Sequence, residues 1–156
     1  MSDNDAENEL KALAERFMQA LAARAAREVD RAREILEEIL KKEPRLPEPH
    51  LELAHIHLEA GRLPEAEVHA REGLSWLDRG GQWVDNLQDF QIASLAHGLL
   101  GEVLSQKANT DEVVFGDPQV FAELLTESKR HFREAATRDP ENAYAGSQAF
   151  FLGLEE

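Results

Sequence analysis

The chain has 156 residues, of which 42% are hydrophobic and 31% charged, with 17 basic against 31 acidic side chains and no cysteine. That length suffices for one domain with its own core, while the missing cysteine excludes disulfides and thiolate metal sites. A formal charge of -14 disfavours nucleic acid and anionic lipid, which need a positive surface, and favours a basic or apolar partner.

Runs rich in Ala, Leu, Glu and Arg at helical spacing, with no alternating Val, Ile and Thr, predict an all-α fold of about seven helices. The opening MSDNDAENEL has neither the basic nor the apolar region of a secretory signal. No apolar run approaches the roughly 20 residues that span a bilayer. A cytoplasmic location with no membrane partner is the expectation.

In chain order, residues 1–8 read as an acidic disordered tail and 9–156 as a single domain. Leu10, Leu13, Phe17 and Leu21 mark a helix over about Glu9 to Ala26, whose register within a repeat the pattern leaves open. Val29, Ala32, Leu36, Ile39 and Leu40 mark a second over about Glu28 to Lys42, stopped near Pro44. The stretch LELAHIHLEAGRLPEAEVHAREGL (51–74) then reads as helix, turn, helix. Gly61 suits the residue after a helix end, where positive φ is wanted, and Pro64 suits the first turn of the next helix. That helix stops at DRGG. Ile92, Leu95, Ala96 and Leu99 mark a further helix, KANTDEVVFGDPQ (107–119) an insertion, and Leu125, Phe132, Ala135 and Ala136 another helix starting near Gln119. The tail AYAGSQAFFLGLEE has the length and pattern of a capping helix, which would bury Phe150, Phe151 and Leu154.

One hairpin cannot bury both of its faces, so copies are expected beside it. Three helices end alike, in Ile39–Leu40, Gly73–Leu74 and Ala135–Ala136, with stops at Pro44, Asp78 and Pro140. Segment 47–80 resembles a tetratricopeptide repeat. Ala54, Ala66 and Gly73 fall where that motif takes small residues, and Leu53, Ile56, Leu63 and Leu74 where it takes apolar ones. The repeats run over about 9–46, 47–80 and, stretched, 85–142, followed by the capping helix over 143–156. The resemblance implies a superhelix of stacked antiparallel hairpins with a concave groove that binds protein. It implies Glu48, Leu51, His55, Leu58 and Glu59 as groove residues in the second repeat. In the third, with Ile92 opening the pattern, it implies Phe90, Ala93, His97, Leu100 and Gly101, so that His55 and His97 would be counterparts on one wall.

The six histidines raise the question of a metal. His55 and His57 point about 200° apart on a helix, and His50 and His57 are separated by roughly 10 Å along its axis. His57 and His69 can approach across the hairpin, but two imidazoles without a third ligand make a weak site. No HExxH, phosphate loop or GxSxG elbow occurs, and neighbouring acids such as Glu37 and Glu38 diverge on a helix. No enzyme activity, metal or cofactor is therefore expected. The resemblance implies a non-catalytic interaction module, an adaptor or dedicated chaperone, holding a basic or apolar segment of a protein or peptide. Small acidic three-repeat proteins of this kind include the chaperones of type III secretion translocators. The alternative is a structural protein that homo-oligomerises through its convex face or C-terminal helix; the sequence sets no oligomeric state.

Overall fold

The computed structural model describes residues 3–79, 89–110 and 116–139, with side chains from 7, 93 and 116 onward in the three stretches. Among these the chain is all-α, with six helices: α1 (Asp3–Ala25), α2 (Val29–Lys42), α3 (Pro47–Glu59), α4 (Leu63–Asp78), α5 (Asp89–Thr110) and α6 (Pro118–Arg138). The expected capping helix over 143–156, Trp83 and the apolar triplet Val113–Phe115 lie outside the described residues. Helix α1 starts within the stretch read as a disordered tail. Acidic side chains near a helix N-terminus are favourable partners of its dipole, so an acidic composition does not argue against helix there.

The helices pack as hairpins, α1 with α2, α3 with α4 and α5 with α6, while α4 and α5 join the second hairpin to the third. The first two turns are the same object, 34 residues apart. Gly61 has φ 77° and Arg27, its counterpart, φ 65°. Each turn closes with the same pair of bonds: Arg62 N to His57 O (2.8 Å) and Gly61 N to Leu58 O (3.0 Å), matched by Glu28 N to Ala23 O (2.8 Å) and Arg27 N to Arg24 O (3.0 Å). This six-to-one and five-to-two pattern satisfies the carbonyls that a helix end leaves over. It also fixes the register of the first repeat, making Ala20 the counterpart of Ala54 and Leu36 that of Ala70.

Small residues let the helices of each hairpin approach. Ala20, Ala54, Ala32 and Ala66 are buried. A Cβ on Gly73 would come within 2.7 Å of Leu51 Cδ2 and 3.1 Å of the Pro47 carbonyl, and one on Gly101 within 3.0 Å of the Phe132 ring. The first core joins Leu13 and Phe17 of α1 to Ile35, Leu36 and Ile39 of α2 and to Leu53 and Ile56 of α3. The junction to α5 is made by Leu51 with Ala96 and by Ala54 and Ala70 with Leu100. Outside, Arg71 of α4 reaches Glu67 (2.9 Å) and Glu127 of α6 (2.8 Å), and Lys107 of α5 reaches Glu67 (3.2 Å). Helix α6 begins with Asp117 accepting from Gln119 N and Val120 N, and with Pro118 at a position that needs no N–H.

Candidate functional site

Two matching histidine clusters, one in the second hairpin and one in the third, show how α5 is rotated. In the second hairpin, His50 Nδ1 of α3 lies 3.1 Å from His69 Nδ1 of α4, and His50 Nε2 lies 2.8 Å from the Pro44 carbonyl oxygen. A carbonyl only accepts, so Nε2 of His50 carries the proton; with both rings neutral, His69 Nδ1–H then donates to His50 Nδ1. His57 accepts from Arg62 Nε at 2.8 Å and stacks on His69, centroids 5.6 Å apart. In the third hairpin, His97 Nδ1 of α5 lies 2.9 Å from His131 Nδ1 of α6. His97 is thus the counterpart of His50, and it stands where the sequence pattern had placed Ile92.

Two serines agree with that register. Ser94 Oγ donates to the Ala135 carbonyl (2.7 Å), as Pro47 lies against Gly73 in the second hairpin. Ser128 Oγ donates to the Gly101 carbonyl (2.6 Å). The third-repeat expectation is corrected accordingly: the small residue facing the partner helix is Gly101, because only a glycine accommodates the Phe132 ring, and Ala96 faces α3 instead.

The rotation decides which side chains meet. A groove of about 610 Å³ runs between α3 and α5, lined by His55, Leu58, Glu59 and Gly61 on one side and Leu95, Gly98, Leu99, Glu102 and Gln106 on the other. Of the expected groove residues, it brings together His55, Leu58 and Glu59. Glu48 and Leu51 are buried, Leu51 against Gly73 and Ala96. Ala93, His97 and Leu100 are interior as well, His97 only 9% exposed. Phe90 lies in α5, its side chain outside the described residues. His55 and His97 are therefore not counterparts: His55 Nε2 sits 2.7 Å from Glu59 Oε1, across the groove from Glu102. Sequence reasoning missed Leu95, Gly98, Leu99, Glu102 and Gln106. The signal lay in the spacing of the other pair, since His69 and His131 occupy the same place on α4 and α6 and both need a partner.

Burial shapes the electrostatics. It pushes His69 down to about 4, with His50 and His57 adding to the effect, and His97 down to about 4, helped by His131 and Arg138. Burial lowers His131 and His57 too, with Arg130 and Arg62 contributing respectively. Among the described residues no group of three or more His, Cys, Asp or Glu side chains is arranged to hold a metal ion. No helix among them is long and apolar enough to cross a membrane.

Stacked helical hairpins, a 34-residue spacing between the first two and small residues at each crossing define a helical-repeat protein. Residues 23–77 match the tetratricopeptide repeat model, and that match together with the six paired helices supports a tetratricopeptide-type helical repeat. Such repeats generally mediate protein–protein interactions. No curated protein matches the chain at a significant level.

Proposed function

We propose that the protein is a non-catalytic interaction module, an adaptor or dedicated chaperone, which holds a partner segment in the groove between α3 and α5. The observation that carries this reading is Gly98. Gly73 and Gly101 each have a neighbour that forbids a Cβ, and Gly61 has a positive φ; a Cβ on Gly98 would meet nothing within 4 Å. A glycine inside a helix costs about 1 kcal/mol relative to alanine. Here neither packing nor backbone geometry explains that cost, and the residue opens a notch in the groove wall. Beside the notch Leu95 is half exposed, so an apolar side chain is available to a partner at the groove wall.

Glu59 and Glu102 line the same groove, and among the described residues no Lys or Arg does. The partner segment this suits presents an apolar side chain to Leu58, Leu95 and Leu99 and a basic one to the carboxylates.

The test compares the wild-type chain with Gly98→Ala and Leu95→Asp as immobilised baits for the native proteome. Filling the notch should raise folding stability by about 0.5–1 kcal/mol while abolishing capture of a protein that the wild type retains. Leu95→Asp, at an exposed position, should lose the same protein with stability changed by less than about 0.5 kcal/mol. Identical captured sets from all three baits would refute the reading.

A further inference from the structure

We propose that the His50–His69 and His97–His131 contacts form an acid-sensitive latch, which holds α3 to α4 and α5 to α6 at neutral pH and releases them on protonation. The latch concerns the scaffold, so it stands whether or not the groove holds a partner.

Each contact joins two Nδ1 atoms about 3 Å apart, 3.1 Å in one pair and 2.9 Å in the other, and works only while one ring donates and the other accepts. A proton added to the acceptor leaves two N–H groups pointing at each other, while one added to Nε2 of the donor keeps the bond but charges a ring that burial holds neutral. His50 cannot avoid this by exchanging nitrogens, because its Nε2 is committed to the Pro44 carbonyl. His97 and His131 are both buried, so neither ring can turn to water without the helices parting.

The surrounding charges do not rescue the cation. Around His97 stand His131, Arg138 and Glu134 of α6 and Asp78 of α4, with Glu134 already 2.8 Å from Arg138. Around His131 stand Arg130 and Glu127 of α6 and Arg71 of α4; Glu127 Oε1 lies 3.7 Å from His131 Nε2 but is held 2.8 Å from Arg71, so it offsets a proton on His131 only in part. His69 faces His50 and His57 of α3 and Glu65 and Glu72 of its own helix. His57 faces Arg62, Glu65 of α4 and Arg33 and Glu37 of α2. The arginines oppose a new positive charge, and two of the carboxylates are occupied.

The sign follows from linkage. An imidazole titrates near 6.5 in the unfolded chain and far lower when buried here, so the unfolded state takes up protons first. Latch stability is complete above about pH 6.5 and is lost as pH falls from there toward about 4. The first hairpin contains no histidine and serves as an internal control.

The experiment follows amide exchange and imidazole NMR signals in the full chain from pH 7.5 to pH 5. Taking protection of α6 amides relative to α2 amides cancels the intrinsic pH dependence of exchange. That ratio should fall roughly 10-fold or more over the range, and in the folded chain the His97 and His131 rings should take up protons only well below the ordinary imidazole value. Parallel loss in α2 and α6, or protonation of these rings near the ordinary imidazole value with unchanged protection, would overturn the proposal. In the double variant His97→Leu with His131→Phe the ratio should stay flat with pH, and an unaltered pH dependence there would also overturn it. Should that variant fail to fold, the wild-type titration decides alone.

Discussion

The first and third hairpins solve one geometric problem with opposite chemistry. Where α1 crosses α2, Ala20 and Leu36 share a core with Phe17, Ile35 and Ile39. Where α5 crosses α6, the counterparts are Gly101 and Phe132, and around them Ser94, Ser128 and the His97–His131 pair make buried polar contacts. The aliphatic version depends on volume and tolerates repacking; the polar version depends on each donor finding its acceptor. Buried hydrogen bonds add little net stability but penalise every register that leaves them unmade. The third hairpin, whose helices are joined by residues 111–117 where the others have the three-residue turns 26–28 and 60–62, is the one whose register is specified this way.

Exchanging the crossing pair is the most severe way to break the contrast. Phe132→Leu removes ring volume and should cost about 1–2 kcal/mol, and Gly101→Ala should cost about 1–3 kcal/mol by pressing a methyl against the ring. Together they import the Ala–Leu pair of the first hairpin, and urea denaturation should show the double variant recovering much of the summed loss. Strict additivity would mean that the two crossings are not equivalent. A smaller effect isolates the polar contacts: Ser128→Ala should cost about 1 kcal/mol, whereas Ala32→Ser, its mirror in the first hairpin, places a hydroxyl in an aliphatic core and should cost about 1–3 kcal/mol unless a carbonyl is within reach. The gentlest test concerns the turns. Arg27→Gly relieves a side chain held at positive φ and should stabilise the chain by about 0.5–1 kcal/mol in thermal unfolding, while Gly61→Ala should destabilise it by a similar amount.

Much of the architecture was legible because it rests on patterns that recur. The helix stops, the Gly61 turn and the small residues Ala54, Ala66 and Gly73 are set by local geometry, which sequence spacing reports directly. The rotation of α5 was not legible by the same means. Ala93, Ala96, Leu99 and Leu100 offer an apolar stripe broad enough for more than one register, and Gly98 and Gly101 both look like the small residue at a crossing. What separates them is the Phe132 ring on another helix and the His97–His131 bond, both of them long-range. As a result the expected residues His55, Leu58 and Glu59 line the groove on the α3 side, while on the α5 side the lining residues lie about five positions beyond the expected ones.

The matched turns at Arg27 and Gly61 carry one more implication. Two hairpins closed by the same bonds, 34 residues apart, and joined through the short stretch from Glu43 to Leu46 behave as repeated building blocks. Lengthening such a chain requires only duplication of a block at that joint, with no new interface to invent, whereas the third hairpin, tied by its own private set of bonds, offers no matching joint of that kind.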